Sequence, residues 1–209
     1  MWTPVILLAG SAIAPPIPSP DPIPLPAPAW VVQFLLLLTF TLHALAMNVL
    51  LGGGIVAALA VARGRKSPGS RIDRLGRGLA KALPYAAATA ITTGVAPLLF
   101  VQVLYGQFFY SSSILMAVPW LAIVGILTIA YYGLYVNAFR AGADRPMRTR
   151  IAWGSSALLV IVGLLYTSNI ALMLAPERWA DAYAPHGLNP QITLASLARY
   201  AHVLVGALA

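Results

Sequence analysis

The chain has 209 residues, 60% of them hydrophobic and only 9% charged, with a mean hydropathy of +0.83. A soluble domain carries about 25% charged residues, so a soluble globular protein is excluded. The net charge of +8 does not signal nucleic acid: eleven of the thirteen Lys and Arg fall in two short segments, Arg63 to Lys81 and Arg140 to Arg150, the pattern of cytoplasmic loops.

Residues 1–29 open with an apolar run, WTPVILLAGSAIA, which lacks the basic start of a signal peptide. A proline-rich tract follows, which rules out a helix and favours polyproline II or turns. The segment is read as lying on the outer membrane surface. Trp30 to Ala62 then runs for 33 residues without Asp, Glu, Lys or Arg. About 20 apolar residues cross a bilayer, so helix one spans with length to spare. Helix two is predicted from Leu79 or Pro84 to Tyr105, kinked at Gly94 and Pro97. The stretch QFFYSSS reads as a short link with interfacial aromatics. Helix three is predicted over 113–139, helix four over 151–174, and helix five from Ile192 to Ala209.

The fold class predicted is an all-α integral membrane protein, with about five transmembrane helices over residues 30–209. A barrel would instead show alternating segments of ~10 residues. Placing both basic segments in the cytoplasm puts the N-terminus outside and makes helices one, three and five run inward. Helix five has 18 residues and no charged stop after it, so the chain is read as a fragment, a piece of a split protein, or a helix ending inside a larger complex.

Ionisable side chains at membrane depth are costly and mark function. His43 lies about 20 Å along helix one and His202 about 15 Å along helix five, at 1.5 Å per residue. Both helices run inward, so both imidazoles sit at similar depth in apolar surroundings. Neutral imidazole is the usual haem-iron ligand, which makes His43 and His202 candidate metal ligands. The alternative is a pair of structural histidines bonded across helices. Arg199 shares a helix face with His202, one turn outward, and could pair with a haem propionate or snorkel to the interface.

Met47 shares a face with His43 and is a candidate thioether ligand, though core packing explains it as well. Gly52, Gly53 and Gly54 form a small-residue surface suited to close helix contact. Gln102, with Thr92 and Thr93, could line a polar path or bond helices together. Asn169, Thr167 and Ser168 cluster near the outer end of helix four, and His186 reads as a solvated loop residue. No cysteine occurs, so disulfides and c-type haem attachment are absent. The predicted spans hold no carboxylate, which disfavours proton pumping and ion-coupled transport.

Three stretches resemble the N-terminal five helices of subunit I of the cytochrome bd-type quinol oxidases. They are FTLHALAMNVLLGGGIVAAL, TTGVAPLLFVQVLYGQFFYSS and SLARYAHVLVGALA. The resemblance implies that His43 and His202 match two haem b ligands, on separate haems, and that Gly94, Val95 and Gly106 match backbone positions of the middle motif. Gln102 stands where that motif carries a glutamate linked to proton delivery, which favours simple electron transfer over oxygen reduction. The resulting expectation is a haem b electron-transfer subunit, with one or two haems, in a bacterial inner membrane. It would be part of a quinol-linked oxidoreductase, using quinone and passing electrons to an outer-face haem or c-type cytochrome beside other membrane subunits. The alternatives are a non-redox scaffold or accessory subunit, or a full bd-type oxygen reductase subunit.

Overall fold

The computed structural model describes residues 24–139, 144–183 and 188–209. Of the surface segment expected over residues 1–29, residues 1–23 lie outside the described residues, and His186 lies outside them too. The described chain forms six α-helices with no strand among them: α1 (Ala29–Gly64), α2 (Arg71–Leu115), α3 (Ala117–Phe139), α4 (Arg145–Met173), α5 (Trp179–Tyr183) and α6 (Leu194–Leu208). A single 3-10 turn, Pro176–Arg178, leads into α5. The protein is an all-α membrane protein, and α1 to α4 are each long and apolar enough to span. α6 corresponds to the predicted helix five but has only 15 residues, about 22 Å of rise.

Local sequence explains where these helices start. Ser70 caps α2 by accepting from the Asp73 backbone N–H at 3.2 Å, and Asp144 caps α4 by accepting from Met147 N–H at 2.8 Å. Each cap satisfies a donor that the first turn leaves unpaired. Pro146 in the first turn of α4 costs no hydrogen bond. Thr193 and Ser196 form a reciprocal capping box on α6. These caps start α2 and α4 well before the apolar runs, so the basic segments become helical turns continuous with the spans.

The predicted kink at Gly94 and Pro97 is not where α2 breaks. Pro84 and Pro97 lie inside the helix, and the non-helical residue is Tyr105 (φ −131°, ψ 32°). A 45-residue helix is about 68 Å long, more than twice the hydrocarbon thickness. The break at Tyr105 lets the chain turn at the end of its crossing. The predicted link QFFYSSS is consequently helical, and Phe109, Ser111, Ser112 and Ser113 are buried. Just after them, Leu115 and Met116 form a small apolar cluster with Leu172, Trp179 and Ala182.

α1 is the hub of the bundle. It pairs with α2 as an antiparallel hairpin: Gly64 lies beside Asp73, Gly76 beside Ala60 and Val61, and Gly53 beside Leu83. Small residues permit this close approach, and close packing is the main attraction between helices in lipid. The three consecutive glycines point about 100° apart, so each meets a different helix. A Cβ on Gly52 would collide with the Ala207 carbonyl of α6. One on Gly53 would touch Leu83 of α2, and one on Gly54 would come within 3.3 Å of Ser156 Oγ of α4. The main core sits around this point, with Leu50, Leu51, Ala57, Leu83, Ala87, Ala130, Leu134 and Leu159.

The two basic segments meet at one end of the bundle. The Asp73 carboxylate accepts from Gly69 N–H at 2.8 Å and from Arg77, and Arg145 lies 3.7 Å away. The Gly69 N–H first, and then Arg77, hold that carboxyl below its ordinary 3.8. Arg145 also donates to the Gly64 carbonyl at 3.3 Å, and Arg148 to the Asn137 carbonyl at 3.1 Å. This set ties α1, α2, α3 and α4 together at the basic end.

Candidate functional site

His43 is half-buried where α1 faces α2. Its Nδ1 lies 2.9 Å from the Ala90 carbonyl oxygen, and a carbonyl can only accept, so Nδ1 carries the proton and donates. Ala90 O is also within 3.3 Å of the Thr93 hydroxyl. The ring lies against Gly94, where an added Cβ would come within 2.8 Å of His43 Cε1 and 3.0 Å of Nδ1. Any side chain at position 94 would displace the imidazole. With the proton on Nδ1, Nε2 keeps its lone pair, and among the described residues it makes no hydrogen bond.

A structural histidine bonded across helices and a metal-ligating histidine share this arrangement. Metal-ligating histidines fix their tautomer by donating the second ring nitrogen to a backbone carbonyl or carboxylate. The donor chemistry of His43 thus fits a haem iron at Nε2. Among the described residues no three His, Cys, Asp or Glu side chains gather as a metal-binding group.

His202 is differently placed. It is exposed on α6, as is Arg199 one turn earlier, while the same helix buries Ser196 and Tyr200. Three contacts set the direction of α6. Ala207 lies at the level of Gly52, Tyr200 packs on Gly163, and the Tyr200 hydroxyl donates to the Val160 carbonyl at 2.6 Å. α6 therefore runs parallel to α1 and antiparallel to α4.

From the Gly52–Ala207 contact, His43 lies nine residues toward the far end and His202 five. Their depths differ by about 6 Å, roughly one turn. The faces differ far more. Nine residues are two and a half turns, so His43 points about 180° away from Gly52. Gly52 faces α6 and His43 faces α2. The two imidazoles lie on opposite sides of α1 and do not face one another.

The remaining expected site residues scatter. Met47 packs against the main core. The Gln102 Oε1 accepts from the Tyr110 hydroxyl at 3.0 Å, within α2 and across the Tyr105 break. Thr93 bonds back to its own helix, donating to the Thr89 carbonyl at 2.8 Å. Asn169 and Ser168 are fully buried, and the Ser112 hydroxyl donates to Asn169 Oδ1 at 3.2 Å. Among the described residues Asn169 Nδ2, Ser168 Oγ and Ser113 Oγ have no hydrogen-bond partner. Sequence reasoning singled out Gly94 as a hinge. Its role as the floor under His43 shows only when α1 and α2 are docked.

The fold and these sites define a multi-pass α-helical membrane protein with one seated histidine on α1 and one exposed histidine on α6. No protein-family model, curated protein or solved structure matches the chain.

Proposed function

We propose that the protein is a haem b electron-transfer subunit of a bacterial inner membrane, with the basic end in the cytoplasm. The observation that carries this reading is His43: Nδ1–H donated to Ala90, the ring resting on Gly94, and Nε2 uncommitted. A structural histidine bonded across helices accounts for the Nδ1 contact, but leaves a polar nitrogen without a partner at membrane depth, which is costly. An iron at Nε2 removes that cost.

His43 and His202 would hold separate irons, because they lie on opposite sides of α1. The haem supplies one-electron chemistry when bound. The chain supplies the ligand, its tautomer and a half-buried setting. Arg199 shares the exposed face with His202 and offers a guanidinium to a carboxylate on that side. Quinol as donor and an outer-face haem or c-type cytochrome as acceptor complete the reading.

A second reading, a scaffold or accessory subunit of a larger membrane assembly, is favoured by α6. An exposed arginine and histidine side by side are poor company for lipid tails, and a partner subunit over that face would shelter them. A reduced-minus-oxidised spectrum of purified protein separates the two readings. Electron transfer predicts a b-type α-band that diminishes in both His43→Ala and His202→Ala. Well-folded protein without haem would rule it out and leave the scaffold.

A further inference from the structure

We propose that Arg65, Arg77, Arg145 and Arg148 form a binding site for the phosphate headgroup of an anionic phospholipid at the basic end of the bundle. A cavity of about 180 Å³ opens there, lined by these four arginines with Asp73 and Val61. The arginines come from three places: the end of α1, the start of α2 and the start of α4. Four guanidinium groups against one carboxylate leave +3 around the cavity. The carboxylate is already committed to Gly69, Arg77 and Arg145, so it does not neutralise an incoming cation.

Donors remain in excess. Each guanidinium has five N–H groups. Arg145 and Arg148 each spend one on a backbone carbonyl, and among the described residues the Arg65 side chain makes no hydrogen bond. A planar fork of this kind matches phosphate oxygens two at a time. The N-termini of α2 and α4 lie at the same end and add their partial positive charge. The volume is several times the ~30 Å³ of a water molecule, enough for a phosphate group.

The position argues for a lipid rather than a free anion. The cavity lies at the basic end, just beyond the apolar stretches of α1, α2 and α4, where the basic flanks of spanning helices meet lipid phosphates. Val61 gives it one apolar wall. Basic pockets between helices at this level suit anionic headgroups.

The test is native mass spectrometry of the full chain in mild detergent, titrated with phosphatidylglycerol, phosphatidylcholine or inorganic phosphate. Phosphatidylglycerol should be retained at one saturable site, with phosphatidylcholine at least about tenfold weaker. Arg65→Gln should weaken retention about tenfold, the loss of one charge-assisted contact. Among the described residues the Arg65 side chain holds no other group, so this variant should fold normally. The double variant Arg65→Gln with Arg148→Gln should weaken retention further. Lys66→Gln with Arg71→Gln removes like charge from the same segment outside the cavity and should leave retention unchanged. Equal losses in the cavity and control variants overturn the proposal, since charge alone would then suffice. Inorganic phosphate that displaces the lipid at equal concentration overturns the lipid assignment.

Discussion

His43 and His202 invite comparison because they share residue type and helix direction and lie within about one turn of each other in level. One is seated against a neighbouring helix, donating to Ala90 over the floor of Gly94. The other projects from the exposed side of α6. The difference arises from rotation about the helix axis, not from depth. One residue turns a helix by about 100°, so two histidines at nearly the same level can belong to unrelated surroundings. The lesson extends to Gly52, Gly53 and Gly54, which are adjacent in the chain and meet three different helices.

The comparison depends on where α6 sits, so the largest effect should follow from moving it. Gly52→Ala forces a methyl group into the Ala207 backbone, which a helix cannot accommodate by rotating a side chain. Overpacking of this kind costs about 1–3 kcal/mol, and the upper end is expected here. Thermal unfolding in detergent should fall by several degrees. An unchanged melting temperature would show that α6 does not cross α1 at this point.

Next in size is the floor under His43. Gly94→Ala should push the imidazole off its seat and break the bond to Ala90, costing about 1–2 kcal/mol by overpacking and the lost hydrogen bond together. If a b-type spectrum is present, its His43-dependent part should shift or vanish. A variant identical to the parent in both stability and spectrum would mean that the ring does not rest on this residue.

The two histidines can then be set against each other directly. His43→Ala removes a hydrogen bond worth about 1 kcal/mol net and leaves a gap between α1 and α2. His202→Ala removes an exposed side chain and should change stability by less than about 0.5 kcal/mol. Chemical or thermal unfolding of both variants in the absence of haem measures this asymmetry, and equal losses would erase it.

The smallest effect expected lies at the basic end. Gly69 N–H and Arg77 hold the Asp73 carboxyl below its ordinary 3.8 in the folded chain. A lowered folded value means that the carboxylate contributes stability above pH 3.8, and that this contribution is lost as pH falls through the lower value. The Asp73 side chain lies beside exposed, solvated arginines, so the effect is modest. Melting temperature followed from neutral to acid pH should fall less steeply in Asp73→Asn than in the parent. Parallel curves would remove Asp73 from the account.

How much of this was legible beforehand varies by feature. The spans, the helical class and the gathering of basic segments follow from composition, because 20-odd apolar residues can only be helix in a bilayer. Helix starts were misjudged at α2 and α4, since Ser70 and Asp144 cap turns lying outside the apolar runs. Helix two was expected to end at Tyr105, where α2 instead breaks and continues to Leu115; the kink expected at Gly94 and Pro97 is not the break, because a buried proline can sit in a long helix whose neighbours restrain it. Met47 and Gln102 stood out by type alone. Packing gives the first to the core, and a hydrogen bond to Tyr110 gives the second to the break in α2.

What the sequence by itself determined is the membrane class and the long apolar helices, because hydropathy acts along one axis. Tertiary structure alone decided which face of α1 meets which neighbour, that Gly94 lies under His43, and that His202 stands on the open side of α6. Those outcomes depend on rotation and close approach between helices. They are governed by where a backbone can come within contact distance, and a sequence read along its axis does not contain that angle.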